Sequence, residues 1–199
     1  MLSCPERSET RAETLQSLRS CGWPAPRVVL DEAPGPTSAD RLNAAWLRVL
    51  GVATLARSDF VLLCEDDLIF GHWFLGNLLS WPVLRPTIDG FFFASLYNHG
   101  HAKLSGGSER HWVADPFFEW GTQALVLTPK TACFLIGNWA KVPGAADRRM
   151  PRLAAAVTPI YHHRPSLVQH VRGPSTWGAE SHAADDFELF WRPDGKPYG

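Results

Sequence analysis

Apolar residues fall along this chain in short continuous runs alternating with helically spaced sets. Phe60–Cys64 is an unbroken apolar run between Asp59 and Glu65, the pattern of a strand buried on both faces. Arg27–Asp31, Gly90–Leu96 and Ala124–Leu127 read as further strands, and Ile160–His163 and Ser166–Val171 as short strand-like pieces. Met1–Cys4 reads as the end of one more strand, clipped relative to the first strand of an ordinary α/β domain. Between these lie helical patterns. Glu9–Cys21 carries Leu15 and Leu18 and is closed by Gly22. Ala39–Ala56 carries Leu42, Ala45, Trp46, Val49 and Leu50, with Ser38 as its expected cap. Leu75–Leu79, Thr128–Trp139 and Asp147–Ala156 predict three more helices. Two regions escape this alternation. Asn98–Val113 is polar, contains Gly100, Gly106 and Gly107, and reads as a mobile loop or lid. The tail from Gly173 is rich in Gly, Pro and Trp and reads as irregular.

Composition narrows the class. A length of 199 residues suits one domain, and 45% hydrophobic residues argue against disorder. A formal net charge of -1 gives no reason to expect nucleic-acid or membrane-surface binding. The four cysteines form no CxxC pair, so a reduced, cytoplasmic protein without a zinc site is expected, with Cys64 packing as a small hydrophobe. No apolar run is long enough to span a membrane, and the N-terminus lacks the apolar core of a signal peptide. The nine tryptophans supply core, or stacking faces for sugars and bases.

The chemistry concentrates at Glu65-Asp66-Asp67, where the central strand ends. Three adjacent carboxylates repel one another, and burial penalises each. A divalent cation, helix N-termini or a neighbouring Arg offsets that cost; carboxylate oxygens suit hard cations such as Mn²⁺ or Mg²⁺, and a cation at the C-terminal end of a strand in an α/β sheet is well placed for a nucleotide diphosphate. The alternative is a solvated acidic turn. Gly121, just ahead of the Ala124–Leu127 strand, permits close backbone approach to a ligand. His99, His101 and His111 do not share a helix face, which weakens a metal role for them.

Four stretches in order, Cys-Pro-Glu-Arg7, Glu-Asp-Asp67, Trp-Gly-Thr-Gln123 and Pro-Ser-Leu-Val-Gln-His170, resemble nucleotide-sugar-dependent glycosyltransferases of the GT-A fold. The arrangement is most similar to the branching N-acetylglucosaminyltransferases of N-glycan synthesis and their bacterial relatives. The resemblance implies an α/β, Rossmann-like sheet, mixed but mostly parallel, flanked by helices in a single domain over residues 1–199. It implies transfer of a sugar, with inversion, from a UDP-linked nucleotide sugar to a carbohydrate or glycoconjugate acceptor. Pro5, Glu6, Arg7, Asp31, Glu65, Asp66 and Gly121 would then bind the donor, and Asp67 with His170 would ligate the cation. Asp147 and Glu119 are the candidates for the base that takes the acceptor proton, with Asp115 third. Asp185 and Asp186 rank lower, in an expected flexible tail. Arg172 stands where the family pattern leads one to expect Gly. Other readings of single residues stay open: Arg7 as a surface ion pair, His170 as a core histidine, Asp147 as a helix-dipole charge. A nucleotidyltransferase would need a Gly-rich phosphate loop, and Cys4–Thr10 has no glycine. A non-catalytic carbohydrate-binding module on the same fold is the remaining alternative.

Overall fold

The computed structural model describes residues 1–23, 26–32, 37–99, 104–117, 121–171 and 183–194. In chain order the elements are β1 (Leu2–Ser3), a 3-10 turn (Pro5–Arg7), α1 (Ser8–Ser20), β2 (Val29–Leu30), α2 (Ser38–Ala53), β3 (Val61–Cys64) and β4 (Leu68–Phe70). There follow α3 (Phe74–Leu79), β5 (Phe93–Ser95), β6 (Leu104–Ser108), β7 (His111–Ala114) and β8 (Ala124–Leu127). Then come α4 (Pro129–Asn138), a 3-10 turn (Trp139–Lys141), α5 (Ala146–Ala154), β9 (Ile160–His163) and β10 (Val168–His170).

The main sheet has six strands in the order β3-β8-β5-β9-β7-β6. Strand residues alternate between its faces, and both faces are apolar, which is why the strands read as unbroken hydrophobic runs. On one face Leu63, Phe93, Leu125, Leu127 and Ile160 pack with α2, α4 and α5 residues such as Trp46, Leu50, Leu135 and Met150. On the other, Cys64, Ala94, Ala124 and Val126 pack with Leu18 of α1, Phe74 and Leu78 of α3, and Ala184.

The sheet is mixed, and the expectation of a mostly parallel one is corrected. Only β5–β9 is parallel within it; β3–β8, β5–β8, β7–β9 and β6–β7 are antiparallel. Two insertions cause this. Strand β8 enters between β3 and β5, which run the same way, and must oppose both. The hairpin β6–β7, joined by a two-residue turn that only antiparallel strands permit, then extends the far edge. The β1–β2 pair is parallel and forms a ladder of its own, as does the antiparallel pair β4–β10.

Over the described residues 104–113, that hairpin also corrects the reading of Asn98–Val113 as a mobile loop. Its Ser-Gly-Gly-Ser segment lacks alternation because the register slips there by one residue. Gly107 (φ +104) is required at the slip, since a Cβ would lie 2.1 Å from the His111 carbonyl oxygen. His111 pairs with His163 across β7–β9, His99 is buried, and His101 lies outside the described residues. In the tail the irregular reading holds for residues 183–194, while the expected flexibility around Asp185 and Asp186 is corrected. Residues 183–194 form no helix or strand but are docked: His72 N donates to Leu189 O (2.7 Å), and Asp186 accepts from Ser166 Oγ (2.5 Å) and Asn98 Nδ2 (2.6 Å).

The cap of α2 is Thr37, not Ser38. Thr37 is extended (φ -128, ψ 161), its hydroxyl accepts from Asp40 N (3.1 Å), and it donates to Asp40 Oδ2 (2.6 Å). Ser38 is already the first helical residue, so the capping position falls to Thr37. Thr37→Ala is therefore expected to lower stability by about 1 kcal/mol in urea unfolding, and Ser38→Ala by much less. Equal losses would return the cap to Ser38.

Candidate functional site

The acidic triplet leaves the sheet directly from β3. Glu65 N still donates to Gln123 O (2.9 Å), extending the β3–β8 ladder by one bond before the chain turns through Asp66 and Asp67 into β4. Two distant elements fix that turn. From α1, Thr14 Oγ1 donates to Asp66 O (2.7 Å) and accepts from Leu68 N (3.0 Å), while Ser17 Oγ accepts from Phe70 N (2.9 Å). Thr14 is wholly buried one helical turn before Leu18, a polar residue in the apolar stripe that serves the open edge of β4. From the C-terminal side, β10 pairs with β4 so that His170 lies opposite Leu68, and Val171 N donates to Asp67 O (2.8 Å).

Each carboxylate has its own environment. Asp66 accepts from Ser3 Oγ (2.5 Å) and pairs with Arg7 Nη1 (3.0 Å); burial still pushes its pKa up, with Ser3 and Arg7 opposing. Asp67 Oδ2 receives both Arg7 Nη2 (2.6 Å) and His170 Nε2 (3.0 Å). Burial disfavours its charge, but the His170 and Arg7 bonds outweigh burial and hold its pKa below the usual carboxylate value. Asp67 Oδ1 is buried without a hydrogen-bond partner among the described residues. Glu65 accepts from the Thr122 hydroxyl; burial, and then repulsion from Asp67, push its pKa up to about 7. The hydrogen bond to Asp67 raises His170 against the effect of burial. Tyr97, whose hydroxyl is buried and unpartnered among the described residues, is pushed up by burial and then by Asp67, Asp185 and Glu65.

One oxygen each from Glu65 and Asp67 and one nitrogen from His170 lie within 4.8 Å of one another. Bonds of about 2.1 Å to a small hard cation span up to about 4.2 Å between opposite ligands, so a slight closure brings all three onto one ion. Arg7 holds Asp67 Oδ2 and would have to release it for that oxygen to join an ion, whereas Oδ1 has no partner among the described residues.

The other candidate residues are distributed as follows. Pro5 and Glu6 are exposed in the 3-10 turn that delivers Arg7. Asp31 is buried at the end of β2, its backbone N–H on Ser3 O (2.6 Å) and its carboxylate 3.5 Å from Arg41 Nη2. Asp31 and Asp66 both act on Cys4, whose thiol is pushed up to about 11, first by burial and then by these two charges. Asp31 therefore belongs to the same neighbourhood. Gly121 (φ +107) precedes Thr122, and a Cβ there would meet Gln123 Oε1 at 2.5 Å. Asp147 lies in the first turn of α5 and accepts from Arg148 N (2.8 Å); nearby, Gly144 O accepts from Asn43 of α2 (3.1 Å). Asp115 Oδ1 accepts from Phe117 N (3.0 Å), closing a local turn. Glu119 and Arg172 lie outside the described residues.

Sequence reasoning overlooked Ser3, Thr14, Tyr97 and Thr122 as parts of the site. Thr14 carried a signal, a polar residue on an apolar helix stripe, and Thr122 sits inside a stretch already singled out. Ser3 and Tyr97 carried none. No protein-family model matches the chain, and no curated protein does either. No helix among the described residues is long and apolar enough to cross a membrane.

Proposed function

We propose that this chain is a cation-dependent glycosyltransferase of the GT-A type, moving a sugar from a UDP-linked donor to an acceptor hydroxyl with inversion. The observation that carries the reading is the convergence of Glu65, Asp67 and His170 at the end of β3, with Asp67 Oδ1 buried and unmet among the described residues. Two carboxylate oxygens and an imidazole nitrogen fit Mn²⁺ or Mg²⁺, which when bound supplies charge that stabilises a departing diphosphate. The chain's own groups do the remainder. Arg7, with 22% of its side chain exposed, turns from Asp67 to the diphosphate, where its forked donors match phosphate oxygens. Pro5, Glu6 and Asp31 flank the base and ribose, Asp66 holds a ribose hydroxyl or metal-bound water, and Gly121 leaves room for the donor. Asp147 or Glu119 accepts the acceptor's proton as the new C–O bond forms. A cytoplasmic location belongs to the same reading, since all four cysteines are free thiols.

One observation favours a second reading. Arg7 and His170 already meet Asp67 Oδ2 without a cation, as suits a non-catalytic carbohydrate-binding module. A thermal-shift panel of nucleoside diphosphates and nucleotide sugars, with and without Mn²⁺, tests the proposal. UDP with Mn²⁺ at a hundredfold excess over Kd is expected to add about 2.7 kcal/mol, a rise of roughly 5–10 °C for a chain of this size. A panel without any shift rejects donor binding. Release of UDP from the matching nucleotide sugar separates the enzyme from the module.

A further inference from the structure

A second concave site lies across residues 183–186 from the carboxylate cluster. It is a cavity of about 320 Å³ lined by Glu109, Arg164, Pro165, Asp186, Glu188 and Trp191. Three segments remote in sequence build it: the tip of the β6–β7 hairpin, the turn after β9, and the docked tail.

Each wall is fixed. Arg164 N donates to Arg110 O (3.1 Å), and its guanidinium lies 4.1 Å from the centre of the Trp112 ring. Trp191 O accepts from Asn77 Nδ2 (3.0 Å), while its ring meets His163 at 5.6 Å between centroids and Arg110 at 5.7 Å. Asp186 is held by Ser166 and Asn98, and as a carboxylate it retains acceptor capacity beyond those two bonds. Glu109 and Glu188 carry exposed side chains that no hydrogen bond or ion pair engages among the described residues. The result is a cleft in which a partly exposed indole, with Arg110 over its ring, lies among three carboxylates and the Arg164 side chain.

Those are the parts a pyranose requires. Its C–H face packs on an indole, and its hydroxyls donate to carboxylates and accept from a guanidinium. The volume is at the lower end of small-ligand pockets, roughly 300–1,000 Å³, which suits one or two sugar units. Three carboxylates against the guanidinium groups of Arg164 and Arg110 leave the cavity slightly negative, which disfavours acidic sugars. Its position also fits. Gln169, the neighbour of His170, clamps Ala184 through both backbone groups (Ala184 N to Oε1, 2.9 Å; Nε2 to Ala184 O, 3.0 Å), two residues before Asp186. A saccharide in this cavity therefore lies one short stretch of backbone from the cation ligands.

We propose that this cavity is the acceptor subsite and that it binds a neutral pyranoside against Trp191. The word acceptor rests on the glycosyltransferase reading; the binding of a neutral sugar does not. The test titrates the full chain, in EDTA, with methyl glycosides of glucose, galactose, mannose and N-acetylglucosamine, and with methyl glucuronide as the charged comparison. Binding is followed by NMR at the Trp191 indole N–H. At least one neutral glycoside is expected to saturate in the millimolar range and to shift that resonance. The double variant Glu109→Gln/Glu188→Gln is expected to weaken it tenfold or more, as is Trp191→Phe. Both glutamates are exposed, so the double variant decides alone if the Trp191 variant fails to fold. The proposal is overturned if no neutral glycoside saturates by roughly 100 mM, where binding is weaker than about 1.4 kcal/mol. It is also overturned if the double variant binds as tightly as the parent, or if the glucuronide binds best. Glycoside binding without any UDP–Mn²⁺ shift would remove the transferase reading and keep the sugar site; the reverse would remove this subsite alone.

Discussion

Replacing Asp67 by asparagine is expected to abolish the Mn²⁺-dependent rise in melting temperature produced by UDP, and to lower stability without cation by about 1–3 kcal/mol. The first effect follows from ligand chemistry. Asn keeps the shape but loses the charge that a hard cation requires, and Glu65 with His170 alone make a poor site. The second effect follows from where the charge sits. The sequence suggests that one fewer carboxylate relieves repulsion. In the structure Arg7 and His170 both bond to Asp67 Oδ2, and their bonds hold its pKa below the ordinary value despite burial. A carboxylate with a depressed folded-state pKa contributes stability above its unfolded pKa, and that contribution is lost as pH falls through the folded value. The deficit of Asp67→Asn should therefore be full at neutral pH and shrink below about pH 4. Arg7 keeps Asp66 as a partner at 3.0 Å, which places the cost under the 3–5 kcal/mol typical of a wholly orphaned buried charge. Retention of the complete Mn²⁺–UDP shift in this variant would remove Asp67 from the cation site.

Glu65→Gln is expected to act oppositely on the fold. The Thr122 hydroxyl can donate to the Gln carbonyl oxygen as it does to Glu65, so packing is preserved. Burial and the charge of Asp67 push Glu65 up to about 7, against an ordinary value of 4.5. The folded state therefore binds a proton that the unfolded state has released between those values. The contribution of Glu65 is intact below about pH 4.5, is lost as pH rises through about 7, and becomes a full penalty above that. In EDTA at pH 8 the variant should be more stable than the parent by on the order of 2–3 kcal/mol, with the gap closing towards pH 4.5. His163 runs the other way. Burial pushes it down to about 4, so its neutral form loses stability as pH falls below about 6.5. The two effects oppose each other in the parent's own pH curve. The difference between parent and Glu65→Gln cancels His163 and isolates the carboxylate. A pH-independent difference would mean that Glu65 is not the titrating group. Added Mn²⁺ should reverse the order of stability, because the cation offsets the penalty only where the carboxylate is present.

Much of this arrangement is legible in the chain, for identifiable reasons. The run Phe60–Cys64 and the triplet after it show as a strand ending in charge because burial on both faces leaves no alternation to obscure the boundary. The α2 pattern shows because its buried stripe recurs with helical spacing, and α4 because Thr128-Pro-Lys130 marks its start. What stays hidden is long-range. Strand β6 reads as a loop because Ser-Gly-Gly-Ser carries no hydrophobic signal, and its place comes from pairing with β7, which in turn pairs with β9. The antiparallel entry of β8 between β3 and β5 has the same local sequence as a parallel strand would. Asp186 looks loose in a Gly/Pro-rich tail because its holders, Asn98 and Ser166, lie far upstream. His170 and Asp67 meet only because β10 pairs with β4. Ordered motifs pointed to that meeting, while local spacing was silent.

The β4–β10 ladder makes the candidate site depend on a long-range contact. Pairing Leu68 with His170 closes a loop of about a hundred residues, and the entropy of closure grows only logarithmically with that length but must be met before the three ladder pairs return anything. The contacts of α1 with the Asp66–Phe70 segment close loops little more than half as long. The Arg7 contacts to Asp66 and Asp67 therefore close shorter loops than the His170 contact does, and the acidic turn reaches its final form only with β10 in place. Whatever the Glu65–Asp67–His170 cluster holds would then depend on a contact between segments about a hundred residues apart.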